Sequence, residues 1–278
     1  MTILFGLVAA LGLLPWLAGL LRLRPGPAAI DARHLAVSTT LCALAFSLTF
    51  FIQELGLVLP KALVPGLAPI LYHNDHDWTG DAPVAELLQG GGAAATLVSG
   101  LAFLWLAGRI APQRPAWRLF AFWMAFQGLF QSLSQCAVGS LIAGNDVGRA
   151  LAWLGAGPVA KAALLLLAVA AMTVAGRALA RRYPLGGGDR PTARHLLGVL
   201  MLAVILIIPF RIPREPVEVV LIPLVVHIVG LGWLTLGLAA LRRAPAAPVA
   251  APALAAPVAA LLALLGAFQL ILRPGVAF

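Results

Sequence analysis

Charge is scarce in this chain. Only 10% of its 278 residues are Asp, Glu, Lys or Arg, against about 25% in soluble domains. A soluble protein of this size needs a polar shell, and these residues cannot supply one. Soluble globular and disordered classes are thereby excluded. Cysteine is scarce too: Cys42 and Cys136 are the only two, and both lie inside apolar runs. That excludes a disulfide-held scaffold and leaves the redox compartment unmarked. Glycine has no collagen-like period. The interleaved basic and aromatic residues of a nucleic-acid surface are missing, and no Gly-rich phosphate loop, Ser-His-Asp order or CxxC pair occurs.

Apolar side chains fill the gap, at 62% of the sequence. The expected class is all-α, a polytopic transmembrane helix bundle surrounded by lipid. A span needs roughly 20 mostly apolar residues. About eight such segments stand near 2–21, 36–60, 93–110, 118–143, 151–176, 195–210, 219–241 and 253–272. The bundle is expected over 1–243, with an outer loop at 61–92. An Ala/Pro linker at 244–257 then leads to a C-terminal transmembrane helix over 258–278.

The basic residues orient this arrangement. Arg22 and Arg24 follow the first apolar run, and no basic residue precedes it, which places the N-terminus outside. Continuing loop by loop, 13 Lys and Arg fall on the inner side and five on the outer, with Lys161 inside the fifth span. The net charge of +9 therefore reports topology. The expected location is the bacterial cytoplasmic (inner) membrane, with the lipid bilayer as the chief partner. Membrane-protein partners or a homo-oligomer are compatible with this, and nucleic acid is not expected.

The polar residues gather toward the outer half. Glu54 lies in the second span, about six residues or roughly 9 Å from its outer end. An ionisable group at that depth normally faces the bundle interior with a partner. Its roles are metal ligand, general base on a metal-bound water, or structural hydrogen-bonding group. The outer loop carries His73-Asn74-Asp75-His76-Asp77-Trp78. Imidazoles and carboxylates so interleaved suit a divalent or transition ion, with Zn, Cu and Fe not distinguished. The expected ligands are His73, His76 and Glu54, with Asp146 or Asp75 completing the set. Gln127, Gln131 and Gln135 recur every four residues on one helix face. With Gln53, Lys161 and His227 they are expected to line a polar pocket open to the periplasm or exterior. Each also has a plainer reading: glutamines as glue between helices, Lys161 as the structural counter-ion of Glu54, His227 as a packing residue.

The run Gln53-Glu54-Leu55-Gly56-Leu57 resembles the His-Glu-Leu-Gly-His helix of site-2-protease-like (M50) membrane metallopeptidases. The resemblance covers roughly residues 40–180. It implies that Glu54 occupies the family's general-base position, that 61–92 matches its irregular or re-entrant region, and that Asp146 is comparable to its later aspartate ligand. Both motif histidines are replaced, by Gln53 and Leu57, and the Asn-Pro before the family's aspartate is missing. Glutamate without zinc cannot activate water in the family's way. The resemblance thus implies a peptidase-inactive relative. Three functions remain open: a metal-binding or metal-dependent membrane protein, a non-enzymatic subunit or scaffold of a larger complex, and a small-solute or proton-coupled transporter using Glu54 and Lys161. Against the last, no pair of broken helices recurs in two halves.

Overall fold

A computed structural model describes residues 6–7, 9–24, 31–184, 189–241 and 251–278. Residues 244–250 of the expected linker lie outside it. The chain is mostly helical. Helix α1 (Leu14–Leu20) continues a π-helical turn at Ala9–Leu13. It is followed by α2 (Ala32–Ala62), the short α3 (Val84–Leu88), α4 (Gly90–Ala107), α5 (Pro115–Gly139), α6 (Asp146–Trp153), α7 (Pro158–Arg182) and α8 (Asp189–Arg211). After a π-helical turn at Val217–Leu221 come α9 (Ile222–Leu241) and α10 (Ala255–Ala267). Among the described residues six helical stretches are long and apolar enough to cross a membrane: Ala32–Ala62, Val84–Ala107, Pro158–Arg182, Pro191–Arg211, Val217–Leu241 and Ala255–Leu272. This is the signature of a multi-pass membrane protein.

Helix α5 is as long as these but is not among the six. Its glutamines and serines lower its hydropathy, and the fold compensates by burying it: Phe122, Trp123, Phe126 and Phe130 are all but inaccessible. Their rings pack edge-on with centroids 5.1–5.4 Å apart, the favoured aromatic geometry. Glycines bring α4 against α5. A Cβ on Gly128 would stand 2.7 Å from the Gly100 Cα and 2.8 Å from the Thr96 carbonyl oxygen. Small residues at such crossings are how helices approach closely where lipid supplies no hydrophobic drive.

Local sequence explains the breaks. Asp31 caps α2 by accepting from the His34 backbone N–H at 2.8 Å, and Asn145 caps α6 by accepting from Val147. Pro115 and Pro158 stand in the first turns of α5 and α7, where a missing N–H costs nothing. The sequence 151–176, expected as one span, is therefore two elements: α6 ends at Trp153, and α7 starts only at Pro158.

The all-α expectation also needs a correction in the outer loop. Residues 61–92 contain β1 (Ala68–Leu71) and β2 (His76–Thr79), an antiparallel hairpin. The chain's last residues add β3 (Val276–Ala277) on the other side of β1, giving the order β2-β1-β3. Ala68-Pro-Ile-Leu alternates exposed and buried positions, a period-two pattern too short to separate from an apolar helix edge. Gly80, at φ +100°, supplies the left-handed backbone that ends β2. The sheet lies across the bundle end where α2 terminates, with its connecting turn above Glu54.

Candidate metal site at the hairpin end of the bundle

Glu54 sits two turns before the end of α2 and is 3% exposed. The β1–β2 turn is closed by Tyr72 N–H donating to the Asp75 carbonyl at 2.8 Å. It delivers Asp75 and His76 onto that carboxylate. His76 Nδ1 donates to Glu54 Oε2 at 2.8 Å, and both side chains are more than nine-tenths buried. One donor atom each from Glu54, Asp75 and His76 lies within 4.8 Å of the others. The 2.8 Å separation is a hydrogen-bond length; two donors on one tetrahedral ion at about 2.0–2.2 Å stand roughly 3.3–3.6 Å apart, so the pair would open by about half an ångström around a metal. The Trp78 ring stacks on His76, with centroids 5.8 Å apart and planes 12° from parallel, and holds the imidazole in place.

These groups form one wall of a cavity of about 350 Å³. Gln53, Gln131, Gln135, Asp146 and Arg211 continue the polar side. Much of the remaining lining is aliphatic, with Leu7 and Leu11 from the N-terminal segment and Val225, Val226 and Val229 from α9, and it includes Glu218. Asp146 begins α6. Burial, then the Glu54 carboxylate, push its carboxyl above the usual carboxylate range. Gln53 Oε1 accepts from Gln131 Nε2 at 2.9 Å and from Gln135 Nε2 at 2.6 Å. Gln53 is thus the hub of an amide cluster.

Other expected members stand elsewhere. His73 does not join the group: its Nε2 donates to the Ile212 carbonyl at 3.0 Å, tying the turn to the end of α8. Burial lowers its pKa. Gln127 belongs to a deeper layer with His227, 2.9 Å from its Nε2, and Cys42; His227 is fully buried and also reaches the Leu200 carbonyl. Lys161 is partly exposed in the first turn of α7. It lies at the bundle end because α7 starts at Pro158, and among the described residues it forms no ion pair with Glu54.

Two cations do the work expected of Lys161. Lys61 is fully buried, with Nζ 4.3 Å from the centre of the Trp78 ring, and feels the charges of Asp146 and Glu54. Arg211 is 4% exposed. Its Cζ lies 4.1 Å from the Phe50 ring centre, its Nε donates to the Glu218 carbonyl at 2.7 Å, and Glu54 is within its electrostatic reach. Sequence reasoning counted both as outer-loop charges. The missed signal was spacing: Lys61 is seven residues after Glu54, two helical turns on the same face.

No family model, no curated protein and no solved structure matches this chain. The class is therefore defined by the molecule itself: a multi-pass helical membrane protein with a Glu/Asp/His group in a buried recess at one end.

Proposed function

We propose that this protein binds a divalent transition-metal ion in the recess beneath its hairpin, through Glu54, Asp75 and His76, with Asp146 as a fourth donor. The observation that carries this reading is the convergence of three donor atoms within 4.8 Å from two separate elements. One imidazole with carboxylates suits Zn or Fe better than Mg or Ca, which favour all-oxygen sets. The bias of arginines toward the opposite end of the bundle supports a recess facing the periplasm of a bacterial inner-membrane protein with eight spans and an outside N-terminus. The aliphatic wall supports a ligand or substrate that arrives from lipid. Glu54 occupies the general-base position implied by the site-2-protease-like resemblance, but its hydrogen bond to His76 favours a ligand role over proton abstraction.

The test is metal content of detergent-purified protein after dialysis against zinc or ferrous ion, beside His76→Ala and Asp75→Asn. About one equivalent in wild type, with loss in both variants, supports the site. Equal substoichiometric metal in all three refutes it. A second reading rests on Arg214, which pairs with Asp75. It makes the cluster a closed ionic network in a non-enzymatic membrane subunit, and this is the reading that equal metal content would leave standing.

A further inference from the structure

A second recess lies at the opposite end of the bundle, between the C-terminal parts of α1, α7 and α9. Its volume is about 290 Å³. Arg22 and Arg177 stand at it, Trp233 lines it, and Gly237, Ala239 and Ala240 keep its floor low. A Cβ on Gly237 would stand 2.8 Å from the Arg177 backbone nitrogen, so glycine there lets α9 approach α7 while side-chain space opens beside the contact.

The groups presented are donors. Both guanidinium groups are permanently charged donors with no acceptor. Among the described residues no carboxylate forms an ion pair with either. Trp233 is 8% exposed, and its buried Nε1–H, a donor only, meets no hydrogen-bond partner among the described residues. A buried unsatisfied donor costs free energy unless a ligand or water meets it. Two arginines and an indole N–H around a cleft call for an anion with several acceptor oxygens, and paired arginines are the usual answer to phosphate. The recess is also about ten times the roughly 30 Å³ that one water occupies in the liquid, so it has room for more than a bare anion. It opens at the end of the apolar bundle toward which the arginines are biased.

We propose that this recess binds the phosphate of an anionic membrane phospholipid, with its glycerol seated over Gly237 and Ala240, and that the lipid staples α1 to α7 and α9. The site is independent of the metal reading, since it lies at the other end of the molecule and shares no residue with it.

The experiment is thermal unfolding of the full chain in detergent, with added phosphatidylglycerol, phosphatidylcholine or inorganic phosphate. Wild type is compared with Arg22→Gln/Arg177→Gln and Arg22→Lys/Arg177→Lys. At saturation phosphatidylglycerol should raise the wild-type Tm by about 5–10 °C. Phosphatidylcholine should do far less, the Gln pair should abolish the difference, and the Lys pair should keep most of it. The unliganded melt of each variant shows whether it folds. Where the Gln pair does not fold, lipid adducts on the wild type and the Lys pair in native mass spectrometry decide, with one retained phosphatidylglycerol expected. Equal protection by both lipids, or full retention in the Gln pair, overturns the proposal. Inorganic phosphate matching the anionic lipid assigns the recess to a soluble phosphate and overturns the lipid assignment.

Discussion

Replacing Glu54 with Gln should destabilise the protein by about 2–4 kcal/mol. Glutamine keeps the shape and an acceptor for His76 Nδ1, so the change isolates the charge. A hydrogen bond to a charged group contributes about 1.5–3 kcal/mol and a neutral one about 0.5–1.5, so roughly 1 kcal/mol is lost there. The remainder comes from Lys61 and Arg211, both essentially buried and both within the field of Glu54. Stripping a partner from a buried charge costs about 3–5 kcal/mol when the survivor is left bare. Here each cation keeps an aromatic ring and neither pairs directly with Glu54, so a loss below that range, about 1–3 kcal/mol, is expected. For a chain this long each kcal/mol moves Tm by about 2–4 °C, and a fall of roughly 5–10 °C is expected in detergent by circular dichroism. Adding Lys61→Met should recover part of the loss, because the double variant buries one charge fewer. An unchanged or raised Tm in Glu54→Gln would refute the reasoning, since the carboxylate would then contribute nothing to the native state through Lys61 and Arg211.

Gly128→Val should be the most damaging change away from the site: its side chain would meet the Gly100 backbone at 2.7 Å, and overpacking of this kind costs about 1–3 kcal/mol or more, read as a lower Tm with unchanged metal content. Gln53→Leu removes the acceptor shared by Gln131 and Gln135. With buried orphan donors costing about 1–3 kcal/mol and intramembrane hydrogen bonds averaging about 0.6, a loss of about 1–3 kcal/mol is expected in thermal melts. Asp31→Ala should lower Tm at neutral pH by removing the cap of α2. The His34 backbone N–H, then the His34 side chain, hold the Asp31 carboxyl below its ordinary 3.8. The native state therefore favours the anion, so its contribution is fully present above pH 3.8 and is lost as pH falls through the depressed value. The gap between wild type and variant should close below that range.

The bundle was legible because lipid leaves a chain so few options. Long apolar runs separated by prolines and arginines must become helices, since an unpaired backbone cannot face hydrocarbon. The hairpin was not legible. Ala68–Leu71 is four residues long and pairs partly with Val276–Ala277, some 200 residues away, and no local pattern announces so distant a partner. At the site, Glu54 and His76 could be picked out because a carboxylate in an apolar run and a histidine among acids are each anomalous. His73 shares His76's composition and differs only in direction: strand alternation and the turn send the two rings to different neighbours. Lys161 was misplaced by a break that only the Gly155–Pro158 turn explains.

Charge balance decides what the hairpin recess will accept. Glu54, Asp75, Asp146 and Glu218 line it together with Arg211, while Lys61 and Arg214 interact with its carboxylates without lining it. The placement of the cations leaves that excess of carboxylate open. Among the described residues Lys61 Nζ rests over Trp78 with no hydrogen-bond partner, and Arg211 is held by the Phe50 ring and the Glu218 carbonyl while its Nη1 stays unpartnered. Among the described lysines and arginines only Arg214 makes an ion pair with Glu54, Asp75 or Asp146, and it takes Asp75 through Oδ2. Glu54 keeps an oxygen beyond its bond to His76, Asp75 keeps Oδ1, and burial raises the cost of Asp146 ionising alone. Aromatic faces thus hold the positive charge near enough to make buried carboxylates tolerable and too far to saturate them. That arrangement predicts a selective loss: Trp78→Leu should free Lys61 to swing onto Glu54 or Asp146 and weaken metal binding at least tenfold in a competitive chelator titration. Undiminished affinity in that variant would show that the ring contact plays no part in keeping the carboxylates open.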